Sequence, residues 1–199
     1  FKGDEIEFPE DGYQGEDIKD LAKEYADLNG DSLVNVSAEE RKKALVDYAL
    51  PKNIKKMQAD MEKYKIFYDK WFFESELHKS GAVNAVVDLL TKKGLTYEKD
   101  GAVWYKNKEV LTQKLLKEGK SQKYIDNLEL KDDVLIRQNG NPTYFTADIA
   151  YHKNKFDRGF TTLIDVWGAD HHGHVMRMKG AMDAIGYDGD KLNVVLMQL

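Results

Sequence analysis

The chain has 199 residues, 42% of them apolar and 33% charged, with a net charge of −5 and a pI near 5.6. That length carries one large domain, or one with a smaller appended unit, and can bury a core without staples. The lack of cysteine excludes disulfide scaffolds, thiolate metal sites and Cys nucleophiles, and the acidic balance argues against a generally basic nucleic-acid binder.

Residues 3–16 are acidic and glycine-rich and read as a loop. Asp17 to Ala26 places Ile18, Leu21, Ala22 and Tyr25 at helical spacing. Asn29-Gly30 closes that helix. Ser37, with Glu40 three residues on, predicts a capping box opening a second helix that runs to Pro51. A third helix is expected from Asn53, with Ile54, Met57, Met61, Tyr64 and Phe67 as its apolar stripe. Phe67 to Phe73 reads as an aromatic strand, Glu74 to Ser80 as a turn, and Ala82–Lys92 as a helix ended by Gly94.

Asp100-Gly101 between Thr96-Tyr97-Glu98 and Ala102-Val103-Trp104-Tyr105 is a hairpin signal, because the tight turn needs positive φ angles. Lys108 to Leu128 reads as one charged helical segment. Its Lys114, Lys117 and Lys120 make either a solvated face or a contact for RNA phosphates. From Val134 the texture becomes strand, helix, strand with glycines at the joins. The expected pieces are strands at Val134–Ile136 and Thr143–Phe145, a helix from Ala147 to Phe156, and a buried strand from Thr161 to Trp167. A helix from Val175 to Ile185 and a strand from Leu192 to Leu199 follow. This is the pattern of βαβ units in a parallel sheet. No apolar run approaches the ~18 residues of a membrane span and no signal peptide is seen, so a cytoplasmic protein without membrane partners is expected. The start at Phe1 and the stop inside Val194–Leu199, a strand-like run, predict a piece of a longer protein.

Two stretches carry chemistry. Gly168-Ala169-Asp170-His171-His172-Gly173-His174 lies past the end of a strand and before a helix, where ligands bind in open α/β sheets. Gly168 permits close approach of a flat ligand, Asp170 can accept from sugar hydroxyls, and the histidines can donate to phosphate or another polar group. Zinc is the competing reading, weakened because adjacent residues seldom converge on one ion; a polar loop with capping groups is the structural one. The second stretch is Thr143 to His152. Thr146 is a candidate N-cap, so Tyr144 would end a strand and Asp148 would sit in the first helical turn. A carboxylate beside a phenol suits a guanidinium, although an Asp at a helix start is also structurally ordinary. The phosphate-loop, GxGxxG, HExxH and GxSxG patterns are absent from the sequence.

Four blocks together resemble the bacterial-type class I arginyl-tRNA synthetases. They are Pro9 to Glu16, Tyr68 to His78, Thr143 to His152 with Lys155-Phe156-Asp157-Arg158-Gly159-Phe160, and Asp165 to His174, in the family's order. The resemblance implies a fragment of an arginine–tRNA ligase, which joins L-arginine to tRNA(Arg) through an arginyl-adenylate made with ATP and Mg2+. No tightly bound cofactor or metal is implied. By the same resemblance Tyr144 and Asp148 bind the arginine side chain, His171 assists, and Gly168 and Asp170 lie at the adenosine ribose. The implied fold is α/β, the second half of a Rossmann-type core with parallel strands plus a helical, hairpin-containing insertion. The segments would be a helical connective part (1–66), the insertion (67–133) and the core half (134–199). The His-Ile-Gly-His motif and a Lys-Met-Ser-Lys-Ser-like loop are absent, and residues 107–131 are longer and richer in lysine than the family's connection. The resemblance therefore assigns no catalytic residue here and implies that the chain alone is inactive. A non-catalytic guanidinium-binding module and a His-based metalloprotein are the alternatives.

Overall fold

The computed structural model describes Gly12, Tyr13 and residues 15–198. The expected loop over residues 3–16 and the block from Pro9 to Glu16 therefore lie largely outside the described residues, as does Leu199. The chain divides after Trp71 into two compact units.

Among the described residues the first unit is a pair of helices, α1 (Glu16–Asn29) and α2 (Ala38–Lys63). The Ser37 capping box forms in full: Ser37 accepts from the Glu40 amide at 3.2 Å, and Glu40 accepts from the Ser37 amide at 3.0 Å. Arg41 clamps the connecting turn by donating to the carbonyls of Leu33, Val34 and Val36. Two helices were expected on either side of Pro51, but α2 runs straight through it. Proline withdraws one donor, the one that would reach the carbonyl of Asp47. On this exposed face water can satisfy that carbonyl, so the helix continues.

The expected strand over Phe67–Phe73 is irregular chain. A strand needs a neighbour for its hydrogen-bond ladder, and none lies beside it among the described residues. Its rings pack as single contacts instead, Tyr68 edge-on to Trp71 at 5.3 Å and Phe72 stacked on Tyr151 at 4.7 Å. The expected turn after it is a short helix, α3 (Glu74–Lys79).

The second unit holds the core. α4 (Ala82–Lys92) presents Val83, Val86 and Leu90 inward. β1 (Thr96–Lys99) and β2 (Ala102–Tyr105) form the hairpin, with Asp100 at φ 52° and Gly101 at φ 73° as its turn demands. The expected single helix over Lys108–Leu128 is two, α5 (Asn107–Lys117) and α6 (Gln122–Asp126), split at Gly119, whose φ of 79° ends the first.

β3 (Asp133–Ile136) joins the hairpin antiparallel, giving the order β1-β2-β3, and not the parallel pair further on. The expected strand at Thr143–Phe145 is absent. Thr143, not Thr146, caps α7 (Tyr144–Asp157): its hydroxyl oxygen accepts from the Thr146 amide at 3.4 Å and donates to the Val134 carbonyl at 2.8 Å. Thr146 then donates to the Leu135 carbonyl at 2.8 Å, so two threonines pin the start of α7 to β3.

β4 (Leu163–Gly168), a 3-10 turn (Ala169–His171), α8 (His172–Ile185) and β5 (Leu192–Met197) make a parallel β-α-β unit with Leu163 opposite Leu192 and Gly168 opposite Met197. β4 is not buried on both faces as expected. Leu163 and Asp165 point inward, while Ile164 and Val166 are exposed beside Val195 and Met197 of β5. The core draws Val86 and Leu90 from α4, Tyr105 from β2, Leu135 from β3, Ile149 from α7, Met178 and Met182 from α8, and Leu192 from β5. The described residues are thus α/β, with helices, a small antiparallel sheet and one parallel strand pair.

Candidate functional site

The residues singled out in the sequence come from two places. Tyr144 opens α7 and Asp148 follows one turn later, so both lie on one side of that helix. Tyr144 is 80% exposed, with the Arg137 guanidinium 6.0 Å from its ring centre. Asp148 is half-exposed, and its Oδ2 lies 3.1 Å from Nε2 of His174. That contact joins the start of α7 to the first turn of α8, so the second stretch does meet the loop after β4.

In that loop Gly168 ends β4 in extended conformation. A side chain there would come within 2.4 Å of Asp170 Oδ1, so the glycine leaves room for the Asp170 carboxylate. Asp170 is exposed and sits 3.0 Å from Nδ1 of His171. The Trp167 ring lies 5.3 Å from that of His174 and 6.1 Å from that of His171. His172 points elsewhere, lining a cleft of about 590 Å³ with Asn107, Leu111, Asp133, Met176 and Arg177. Among the described residues no group of three or more His, Asp or Glu side chains converges in a way that could hold a metal ion.

Sequence reasoning missed three contributors. The first is His174, named only as part of a histidine run; its spacing of two residues beyond His172 was the available signal. The second is Arg177, one turn further along α8. It forms a bidentate pair with Asp133 of β3 and covers the Phe145 ring at 4.7 Å. Burial raises the Asp133 carboxyl above its usual range, outweighing the opposing effect of the guanidinium. The third is a buried ion-pair group behind the site. His152 of α7 contacts Asp165 of β4 through Nε2, and Lys155 reaches the other Asp165 oxygen at 2.7 Å. Burial pushes the Asp165 carboxyl up, but His152 and then Lys155 outweigh it and hold the group below the ordinary carboxylate value.

The lysine run does not form one free face. Lys114 is turned inward, 2.7 Å from Asp183 of α8 and within ion-pair distance of Asp190 and Glu118. Lys120 rests over the Tyr124 ring at 5.7 Å.

No protein-family model matches the chain. Its sequence is 53% identical over 198 residues to the arginine–tRNA ligase of Caldanaerobacter subterraneus subsp. tengcongensis, covering 99% of this chain and 32% of that protein. It is 51% identical over 197 residues to the arginine–tRNA ligase of Ruminiclostridium cellulolyticum, covering 98% of this chain and again 32% of the relative. Among solved structures, the Campylobacter jejuni chain named as an arginyl-tRNA synthetase matches with a TM-score of 0.78 and 35% identity. That match covers 98% of this chain and 39% of the other. The arginyl-tRNA synthetase of Thermus thermophilus, 18% identical with a TM-score of 0.61, shares the fold over 90% of this chain and 34% of its own. The chain spans about a third of the length of the curated relatives it matches, and along nearly all of its own length it is similar in sequence and fold to arginine–tRNA ligases of bacteria.

Proposed function

We propose that the chain is the arginine-side part of an arginine–tRNA ligase, and that Tyr144 and Asp148 receive the guanidinium of L-arginine. The observation that carries this reading is the placement of a half-exposed carboxylate and an exposed phenol ring one turn apart at the start of α7, with the carboxylate meeting His174 beyond the loop after β4. A guanidinium can donate to the Asp148 carboxylate and lie against the Tyr144 ring, a combination an ammonium reproduces poorly. In this reading His171, whose ring lies 6.4 Å from that of His174, assists as a further polar group.

In this reading Gly168 and Asp170, at the carboxyl end of β4, face the adenosine ribose of ATP, and the parallel pair with α8 is the second half of a Rossmann-type core. Residues 1–66 are then a connective helical part, 67–133 the insertion and 134–199 the core half. The partners of the whole ligase are L-arginine, ATP with Mg2+ and tRNA(Arg), and its compartment is the cytoplasm. Among the described residues no helix is long and apolar enough to cross a membrane.

Activation requires attack of the arginine carboxylate on the α-phosphate of ATP. This sequence contains neither a His-Ile-Gly-His motif nor a Lys-Met-Ser-Lys-Ser-like loop to stabilise the charge that develops there. The chain alone is therefore a binding part and not a catalyst. Arginine-dependent ATP–pyrophosphate exchange by the purified chain would contradict that.

Calorimetric titration with L-arginine beside L-citrulline tests the binding claim, since citrulline keeps the shape and loses the charge. Arginine binds more tightly by about tenfold or more, the value of a charged hydrogen bond, and Asp148→Asn erases the difference. Equal binding of the two ligands would remove Asp148 from the role assigned to it.

A further inference from the structure

His152 is buried, with 3% of its surface exposed. Its Nδ1 lies 2.7 Å from the main-chain carbonyl oxygen of Asp148, and its Nε2 meets Oδ2 of Asp165. A carbonyl and a carboxylate can only accept. A neutral imidazole has one N–H and one bare nitrogen, so it can satisfy one of these partners and must face the other with a lone pair. One further proton is required between His152 and Asp165. The other Asp165 oxygen takes the Lys155 ammonium at 2.7 Å, which favours the ionised carboxylate and leaves the proton on the ring.

The charged and titratable groups around the ring are few. Lys155 lies on α7 and Asp165 on β4. Across the Trp167 ring, itself 6.1 Å from that of His152, stands His174 of α8, joined to the Asp148 carboxylate. Tyr151 packs on the remaining side.

We propose that His152 is held as a doubly protonated imidazolium and is the positioning residue of the site, tying α7 at the Asp148 carbonyl to Asp165 of β4 so that the helix turn carrying Asp148 is fixed against the strand that ends in Gly168. The proposal rests on the reading of Asp148 as the guanidinium acceptor. Asp148 is held at two atoms by two histidines: its carbonyl by His152, one turn along the same helix, and its carboxylate by His174. Asp165 anchors the first of these to β4. The strand that ends in Gly168 and the helix that carries Asp148 are thereby tied together behind the ligand surface. Preorganisation of this kind matters because a flexible carboxylate loses affinity to ordering.

The test is spectroscopic and uses the 199-residue chain. Nitrogen-15 spectra of the histidine rings at neutral pH show both His152 nitrogens carrying protons, one toward each acceptor. Asp165→Asn removes the second proton and moves the Asp148 carboxyl carbon signal; Asp165→Glu, the conservative variant, restores both. L-Arginine affinity falls about tenfold or more in Asp165→Asn and recovers in Asp165→Glu, while Lys153→Ala leaves it unchanged. A wild-type His152 ring with one bare nitrogen at that pH overturns the proposal without any variant. An Asp148 signal indifferent to Asp165→Asn overturns it as well. If the wild-type chain binds no arginine, the reading of Tyr144 and Asp148 fails, while the ring and carboxyl signals still decide the role of His152.

Discussion

The helices of residues 12–71 bury nothing, and Leu33 in the turn between them is the one buried residue of that stretch among the described residues. Residues 72–198 instead close around a continuous core in which Val86, Leu90, Tyr105, Leu135, Ile149, Met178, Met182 and Leu192 are completely covered. The first unit therefore depends on local terms: a capping box, the Arg41 clamp, an edge-on Tyr25–Tyr48 pair at 5.1 Å and surface ion pairs such as Glu24–Lys52. Each of those contributes a fraction of a kcal/mol to about 1 kcal/mol. The second unit depends on apolar burial, where one side chain contributes about 1.5–3 kcal/mol. The contrast teaches where function can be held with precision. Every residue assigned to the ligand surface lies in the second unit, backed by the core and by the buried Asp165 group.

The largest change should come from that group. Asp165→Asn leaves His152 and Lys155 without their shared anion and costs about 3–5 kcal/mol in denaturant unfolding of the second unit. Because Asp165 titrates below its ordinary value of 3.8 when folded, its contribution is fully present at neutral pH. It is lost as pH falls from that ordinary value through the lower folded one. Acid unfolding of the variant should lack this component. Leu90→Ala opens a cavity in the same core and costs about 2–5 kcal/mol, read by the same denaturant titration.

Two changes in the first unit sharpen the comparison. Pro51→Ala restores a helical donor on an exposed face of α2 and gains up to about 3 kcal/mol of helix stability. It raises far-ultraviolet helical dichroism and hydrogen-exchange protection in α2, and the core of the second unit gains no protection. Ser37→Ala removes one half of the capping box and costs about 1 kcal/mol, seen as faster exchange in the first turn of α2. If Pro51→Ala or Ser37→Ala altered exchange in α7 and α8 as strongly as in α2, the two units would not be the separate entities described.

The legible parts of the sequence were those decided locally. The Ser37 box, the Asp100-Gly101 hairpin, α4 and the β4-α8-β5 unit followed from caps, turn residues and periodicity. The failures had a common cause, which is that tertiary partners decide. Phe67–Phe73 has strand composition, but among the described residues no strand lies beside it. Thr143–Phe145 has strand composition too, but the two threonine hydroxyls bond back to β3 and start a helix there. Pro51 reads as a stop, yet on an exposed face the lost bond is tolerated. In the site, the residue types and their order were readable, whereas the partnerships were not. Nothing in the spacing of His152, Lys155 and Asp165 reveals that they share one buried charge group, and nothing marks Lys114 as turned toward Asp183. Such pairings depend on how α7 packs on β4 and α5 on α8, which local pattern does not encode.

The measurement that tests the account most directly is a heteronuclear NMR titration of the isotopically labelled chain with L-arginine, run beside L-citrulline. Arginine alone should perturb the start of α7 and the loop after β4, with the largest shifts at Tyr144, Asp148, Trp167, His171 and His174. Perturbations scattered over surface carboxylates, or the same pattern for both ligands, would contradict the assignment of Tyr144 and Asp148 as a guanidinium site.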